Sequence, residues 1–97
     1  MQDKGISEKV LSEIKYWADQ DGVEKVVLFG SRARGDFRRT SDIDLAITGG
    51  NSTAFILHVD EETSTLLKYD VVNMNGPVQE ELLEAIKKEG IVIYEKV

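Results

Sequence analysis

Two aspartates spaced two residues apart, Asp42 and Asp44, are the side chains in this sequence best placed to do chemistry. In a strand that spacing puts both carboxylates on one face, with Cβ atoms roughly 6–7 Å apart. Carboxylate oxygens at such a span can converge on hard divalent cations. The arrangement has a cost, because like charges on one strand face repel and aspartate is a poor strand former. Ahead of the pair stands Gly30-Ser31, followed by Arg32-Ala33-Arg34-Gly35. A glycine there lets the backbone turn sharply and lets a phosphate come close. If the next residues begin a short helix, their free N–H groups face an anion, and Ser31 adds a hydroxyl donor. A third carboxylate, Asp70, is isolated among β-formers in Tyr69-Asp70-Val71-Val72. It completes a cluster with Asp42 and Asp44 if the two strands lie side by side.

Together these parts suggest phosphoryl or nucleotidyl transfer. Carboxylate-held cations would stabilise attacking and leaving oxygens, and arginines with backbone N–H groups would hold a triphosphate. Taken singly, each part has a plainer reading: an ordinary turn at Gly30-Ser31, an exposed polar face at Asp42 and Asp44, a surface position at Asp70. The charge distribution weighs on the choice. The chain carries a net charge of −6, yet all of its arginines (Arg32, Arg34, Arg38 and Arg39) fall in one short stretch. So acidic a chain is a poor general ligand for nucleic acid. The arginine island, with forks matched to phosphate or carboxylate, would offset that repulsion locally; a basic, solvated turn is the alternative.

Other classes are excluded or unsupported. There is no cysteine, which removes disulfides, thiolate metal sites and cysteine nucleophiles. No Gly-x-x-x-x-Gly-Lys-Ser/Thr loop is present, so P-loop chemistry has no basis. His58 is the one histidine; a single imidazole builds no metal site, and a helix-surface place is expected. Trp17 is expected in the core, and Glu61-Glu62 on a solvated helix face. No apolar run approaches the ~18 residues of a membrane span. Met1-Gln2-Asp3-Lys4-Gly5 has neither the basic nor the apolar block of a leader, and a cytoplasmic location is the default expectation.

The elements that must position the site read clearly. With 97 residues, a single domain over 1–97 is expected. Val10, Leu11, Ile14, Trp17 and Ala18 fall at helical spacing, with Ser7 as N-cap and Gly22 as terminator. Val23 to Phe29 reads as a strand covered on both faces, and Asp42 to Ile47 as an alternating strand. Phe55, Ile56, Val59, Thr63 and Leu66 predict a helix from Ser52 to Leu67, although Phe55 to Val59 could be a short strand instead. Tyr69 to Asn73 is a third strand. Gly76-Pro77 would open a last helix with proline near its first position, its stripe formed by Val78, Leu82, Ala85 and Ile86. Gly90 would stop that helix, and Ile91 to Tyr94 would be a fourth strand. The expected fold is α/β (α+β): a mixed sheet of about four strands flanked by helices.

Gly30-Ser31, ten residues, then Asp42-x-Asp44 resembles the Gly-Ser-x10-Asp-x-Asp signature of the DNA polymerase β-like nucleotidyltransferase superfamily. The fuller string, Leu28-Phe29-Gly30-Ser31-Arg32-Ala33-Arg34-Gly35 through Ser41-Asp42-Ile43-Asp44-Leu45-Ala46, is similar to its small members, the minimal nucleotidyltransferases. The resemblance is firm from Val23 to Val72 and loose in the flanking helices. It implies the polymerase β-like fold, with Gly30 and Ser31 on the nucleoside triphosphate and Arg32 and Arg34 as phosphate contacts. It implies that Asp42 and Asp44 ligate Mg2+ in a two-metal site, and that Asp70 is the third carboxylate, serving one metal and helping to activate the acceptor hydroxyl. ATP or another NTP is the implied donor. The implied partner is a small helical HEPN protein, a toxin to which this chain is antitoxin, and the acceptor would be a hydroxyl of that protein, in a homo- or hetero-oligomer. The alternative is a catalytically weak binding module that neutralises its partner by covering it. No adenine pocket can be read in residues 48–68, so base preference stays open.

Overall fold

The structure, a computed structural model, describes residues 4–97; residues 1–3, the start of the terminal stretch read above for a leader, lie outside them. Its order is α1 (Glu8–Gln20), β1 (Lys25–Phe29), α2 (Gly30–Arg34), β2 (Ile43–Thr48), α3 (Ser52–Glu61), β3 (Tyr69–Asn73), α4 (Glu80–Glu89) and β4 (Ile91–Glu95). The strands form one mixed sheet in the order β3-β2-β1-β4. β1 is antiparallel to both β2 and β4, whereas β2 and β3 run parallel. Parallel neighbours need a crossover, and α3 supplies it.

Helix α1 starts where its cap predicts: the Ser7 side chain accepts from the Val10 N–H at 3.1 Å. Val10, Ile14 and Ala18 are its buried stripe. With Phe55 and Val59 of α3 they cover one sheet face, against Val26, Leu28, Ile43, Leu45, Ile47 and Ile93. The opposite face has a smaller cover, where α4 sets Ile86 and Leu82 on Phe29, Ala46 and Val72. Both faces of β1 and β2 are therefore covered, and Ala46, on the aspartate face, is as buried as the core.

Several boundaries differ from expectation: β1 starts at Lys25 rather than Val23 and β4 runs on to Glu95, and three further differences are larger or bear on the site. Helix α3 ends at Glu61, not Leu67. The Thr63 hydroxyl donates to the Val59 carbonyl at 2.6 Å, and the Ser64 N–H donates to Glu13 of α1 at 2.8 Å. These bonds turn the chain away toward β3. Helix α4 begins at Glu80 rather than at Pro77, because Gln79 is still extended (φ −58°, ψ 139°). Strand β2 begins at Ile43, which leaves Asp42 just outside it.

Candidate active site

β1 delivers the chain to Gly30, whose φ of +75° is open to glycine at little cost. The turn is also tight against β2: a Cβ on Gly30 would run into the Asp44 carboxylate. Residues Gly30–Arg34 then make one short helix, closed by Gly35 at φ 93° with its N–H donating to the Ser31 carbonyl at 2.9 Å. Gly30→Ala is therefore expected to cost about 1–3 kcal/mol through backbone strain and to displace Asp44. Thermal unfolding together with a metal titration would show both effects, and a variant matching the parent in both would refute this account of the turn.

Asp44 lies on β2 opposite Phe29 in β1 and beside Asp70 in β3, its register partner. Register partners share a sheet face, so both carboxylates project on the α4 side of the sheet. Asp42, two residues earlier, is exposed at the strand entrance, as Asp70 is along the edge strand. Asp44 is half-buried. Its burial, then the charges of Asp70 and Asp42, push its carboxyl up to about 6, while Arg34 pulls in the opposite direction. The gathered negative charge and hard oxygen donors fit a divalent cation in chemical type. Among the described residues, however, no group of three such side chains stands close enough to hold a metal as arranged.

The two arginines implied as phosphate contacts part company. Arg32 is 1% exposed. Its guanidinium donates to the carbonyls of Ser41 (2.8 and 3.2 Å), Lys4 (3.0 Å) and Arg39 (3.4 Å), and it lies over the Phe37 ring at 4.9 Å. Every nitrogen of the fork is spent on backbone, which does not suit the phosphate role. Arg32 instead ties down the loop that ends at Asp42, since the Ser41 carbonyl belongs to the peptide entering that residue. Arg34 is exposed and does face the carboxylates. Its Nη1 is shared between both oxygens of Glu89, at 3.1 and 3.0 Å, and its Nε meets Asp36 at 3.3 Å.

Glu89 is the site residue that sequence reasoning missed. It closes α4, and its Oε1 also accepts the Gly30 N–H at 3.3 Å. A signal was available: a carboxylate in the last helical turn, after Lys87 and Lys88, opposes the helix dipole and so calls for a partner elsewhere. His58 also differs from expectation. It is half-buried, its ring stacked on Trp17 with centroids 4.0 Å apart and its Nδ1 2.8 Å from Asp21, so it pins α3 to α1. Trp17 is partly rather than fully buried.

Comparison with known proteins bears on the family and the fold. The family described as Polymerase beta, Nucleotidyltransferase matches residues 12–97. A Methanocaldococcus jannaschii protein named "Putative protein adenylyltransferase MJ0604" is 44% identical, over 74% of this chain and 79% of that protein. Among solved structures, a toxin-antitoxin complex with AMP-PNP superposes with a TM-score of 0.72 at 18% identity, covering 89% of this chain and 73% of the other. A mutant MntA-HpeT toxin-antitoxin complex gives 0.71 at 16% identity, with the same coverage. At these identities the structural matches speak for the fold. No helix among the described residues is long and apolar enough to cross a membrane.

Proposed function

The chain belongs to the polymerase beta nucleotidyltransferase family and is a nucleotidyltransferase; from that premise we propose that it transfers AMP from ATP to a protein hydroxyl, with a small helical HEPN toxin as acceptor. The observation that carries this reading is the meeting of Asp44 with its register partner Asp70, beside Asp42 and under the Gly30 turn. The adenylyltransferase name of the relative and the toxin-antitoxin setting of the fold's neighbours support the donor and acceptor chosen.

In this reading Asp42, Asp44 and Asp70 would hold Mg2+, which when bound neutralises charge on the phosphates and on the attacking oxygen. The acceptor oxygen attacks the α-phosphorus, the bond to pyrophosphate breaks, and a phosphodiester to AMP forms. Asp70, exposed on the edge strand, takes up the hydroxyl proton. Gly30 and Ser31 seat the triphosphate, and Arg34, exposed at the site though paired with Glu89 and Asp36, is the arginine that can turn onto it. Arg32 keeps Asp42 in place from behind.

Labelled ATP, Mg2+ and the helical partner together should yield labelled partner and free pyrophosphate. An Asp42→Ala/Asp44→Ala double variant should still form the complex but transfer nothing. Full neutralisation of the toxin by that double variant would favour antitoxin action by covering alone. Absence of label from folded protein with every nucleotide would sink the reading.

A further inference from the structure

We propose that Glu89 is a resident occupant of the nucleotide's phosphate seat, a carboxylate that the triphosphate must displace before the enzyme can act. This rests on the nucleotidyltransferase reading and adds a competitor to it. Two observations converge. Glu89 Oε1 accepts the Gly30 N–H at 3.3 Å, in the turn assigned to the triphosphate. The same carboxylate takes both contacts of Arg34 Nη1, at 3.0 and 3.1 Å, which engages the one arginine of the site positioned to reach a ligand.

A carboxylate and a phosphate present the same face to such donors: paired anionic oxygens that accept a backbone N–H and a guanidinium. Glu89 thus makes the bonds that a phosphate would make, and its side chain is only 18% exposed. It is tethered to α4, so its effective concentration at the seat is high. Its hold is nevertheless modest, because Arg34 is open to solvent and pairs of that kind are weak. A triphosphate, with more charge and accompanied by its cation, can evict it. On eviction Glu89 leaves the neighbourhood of Asp44 and Arg34 is released toward the phosphates, so nucleotide arrival rearranges the end of α4.

Calorimetry of AMP-PNP with Mg2+ on the full chain tests this, alongside thermal unfolding without ligand. Glu89→Gln keeps the size but weakens the grip on Arg34. It is expected to tighten nucleotide binding roughly fivefold, the scale set by an exposed pair, while lowering the melting temperature of the ligand-free protein. Arg34→Ala should remove most of the gain, so that Glu89→Gln in that background changes affinity little. A residue that merely braced the site would give the opposite sign, with affinity falling along with stability. Unchanged or weaker binding by Glu89→Gln, with clear binding by the parent, overturns the competitor role alone. Absence of nucleotide binding in both proteins overturns this role and the transfer reading together.

Discussion

Asp44→Asn is expected to abolish transfer and, at neutral pH, to make the ligand-free chain more stable. The loss of activity should be at least about a hundredfold, the scale on which a preorganised electrostatic contact at the reacting phosphate is worth. The gain in stability follows from the raised carboxyl. Asp44 titrates near 6 in the fold, against 3.8 for an unperturbed group. The folded chain therefore holds that proton more tightly than the unfolded chain. Ionisation costs the fold nothing below about pH 3.8, progressively more as the pH rises through about 6, and its full amount above. Solvent reaches the group, so the full cost is about 1–2 kcal/mol. Asparagine carries no such cost. Melting curves of parent and variant should coincide near pH 4 and separate by roughly 5–10 °C at pH 7.5, with the variant higher. Mg2+ should raise the parent's melting temperature and leave the variant's unchanged. A variant melting at or below the parent at pH 7.5 would contradict the crowding of charge at this carboxylate.

Arg32→Met should be the most damaging single change to the fold near the site. Methionine fills much of the volume but leaves the carbonyls of Lys4, Arg39 and Ser41 without their donor. Stranding these groups costs about 3 kcal/mol together, or roughly 12–20 °C in melting temperature for a chain of this size. Arg32→Lys keeps the charge but cannot span the carbonyls with one ammonium, so it should fall between. The measurement separates two roles. A phosphate contact would leave melting unchanged and raise the KM for nucleotide, whereas the buried clamp lowers melting and, by freeing Ser41, loosens Asp42.

The sequence motif located the carboxylates and the turn because their geometry is local. Gly30 must turn at the end of β1, and the Asp42–Asp44 spacing belongs to one strand entrance. Tyr69–Asn73 was legible as a strand because its residues are β-formers, and Ser7 as a cap because its partner is three residues away. What could not be read depends on distant groups. Arg32 and Arg34 look equivalent in Gly30–Arg34, two residues apart on a short helix. One points to carbonyls of Lys4 and Ser41 and the other to Glu89, so only the tertiary path tells the two apart. The apolar pattern past Glu61 continued on paper, but Thr63 and Ser64 found better partners in Val59 and Glu13. His58 looked like a surface residue because nothing nearby in sequence announces Asp21 and Trp17.

The mixed sheet has a consequence in time as well as in space. Gly30, Asp42 and Asp44 come from β1, its turn and the adjacent antiparallel β2. These are pairings of modest sequence separation, whose closure carries little entropic penalty. Asp70 arrives only when the chain has run through all of α3 and docked β3 parallel to β2, and Glu89 later still, with α4. Contacts of long separation slow a folding reaction. A nascent chain would thus form the turn and the first carboxylate pair before the third carboxylate and Glu89 are in place. Catalytic competence would be among the last properties acquired as the polypeptide folds.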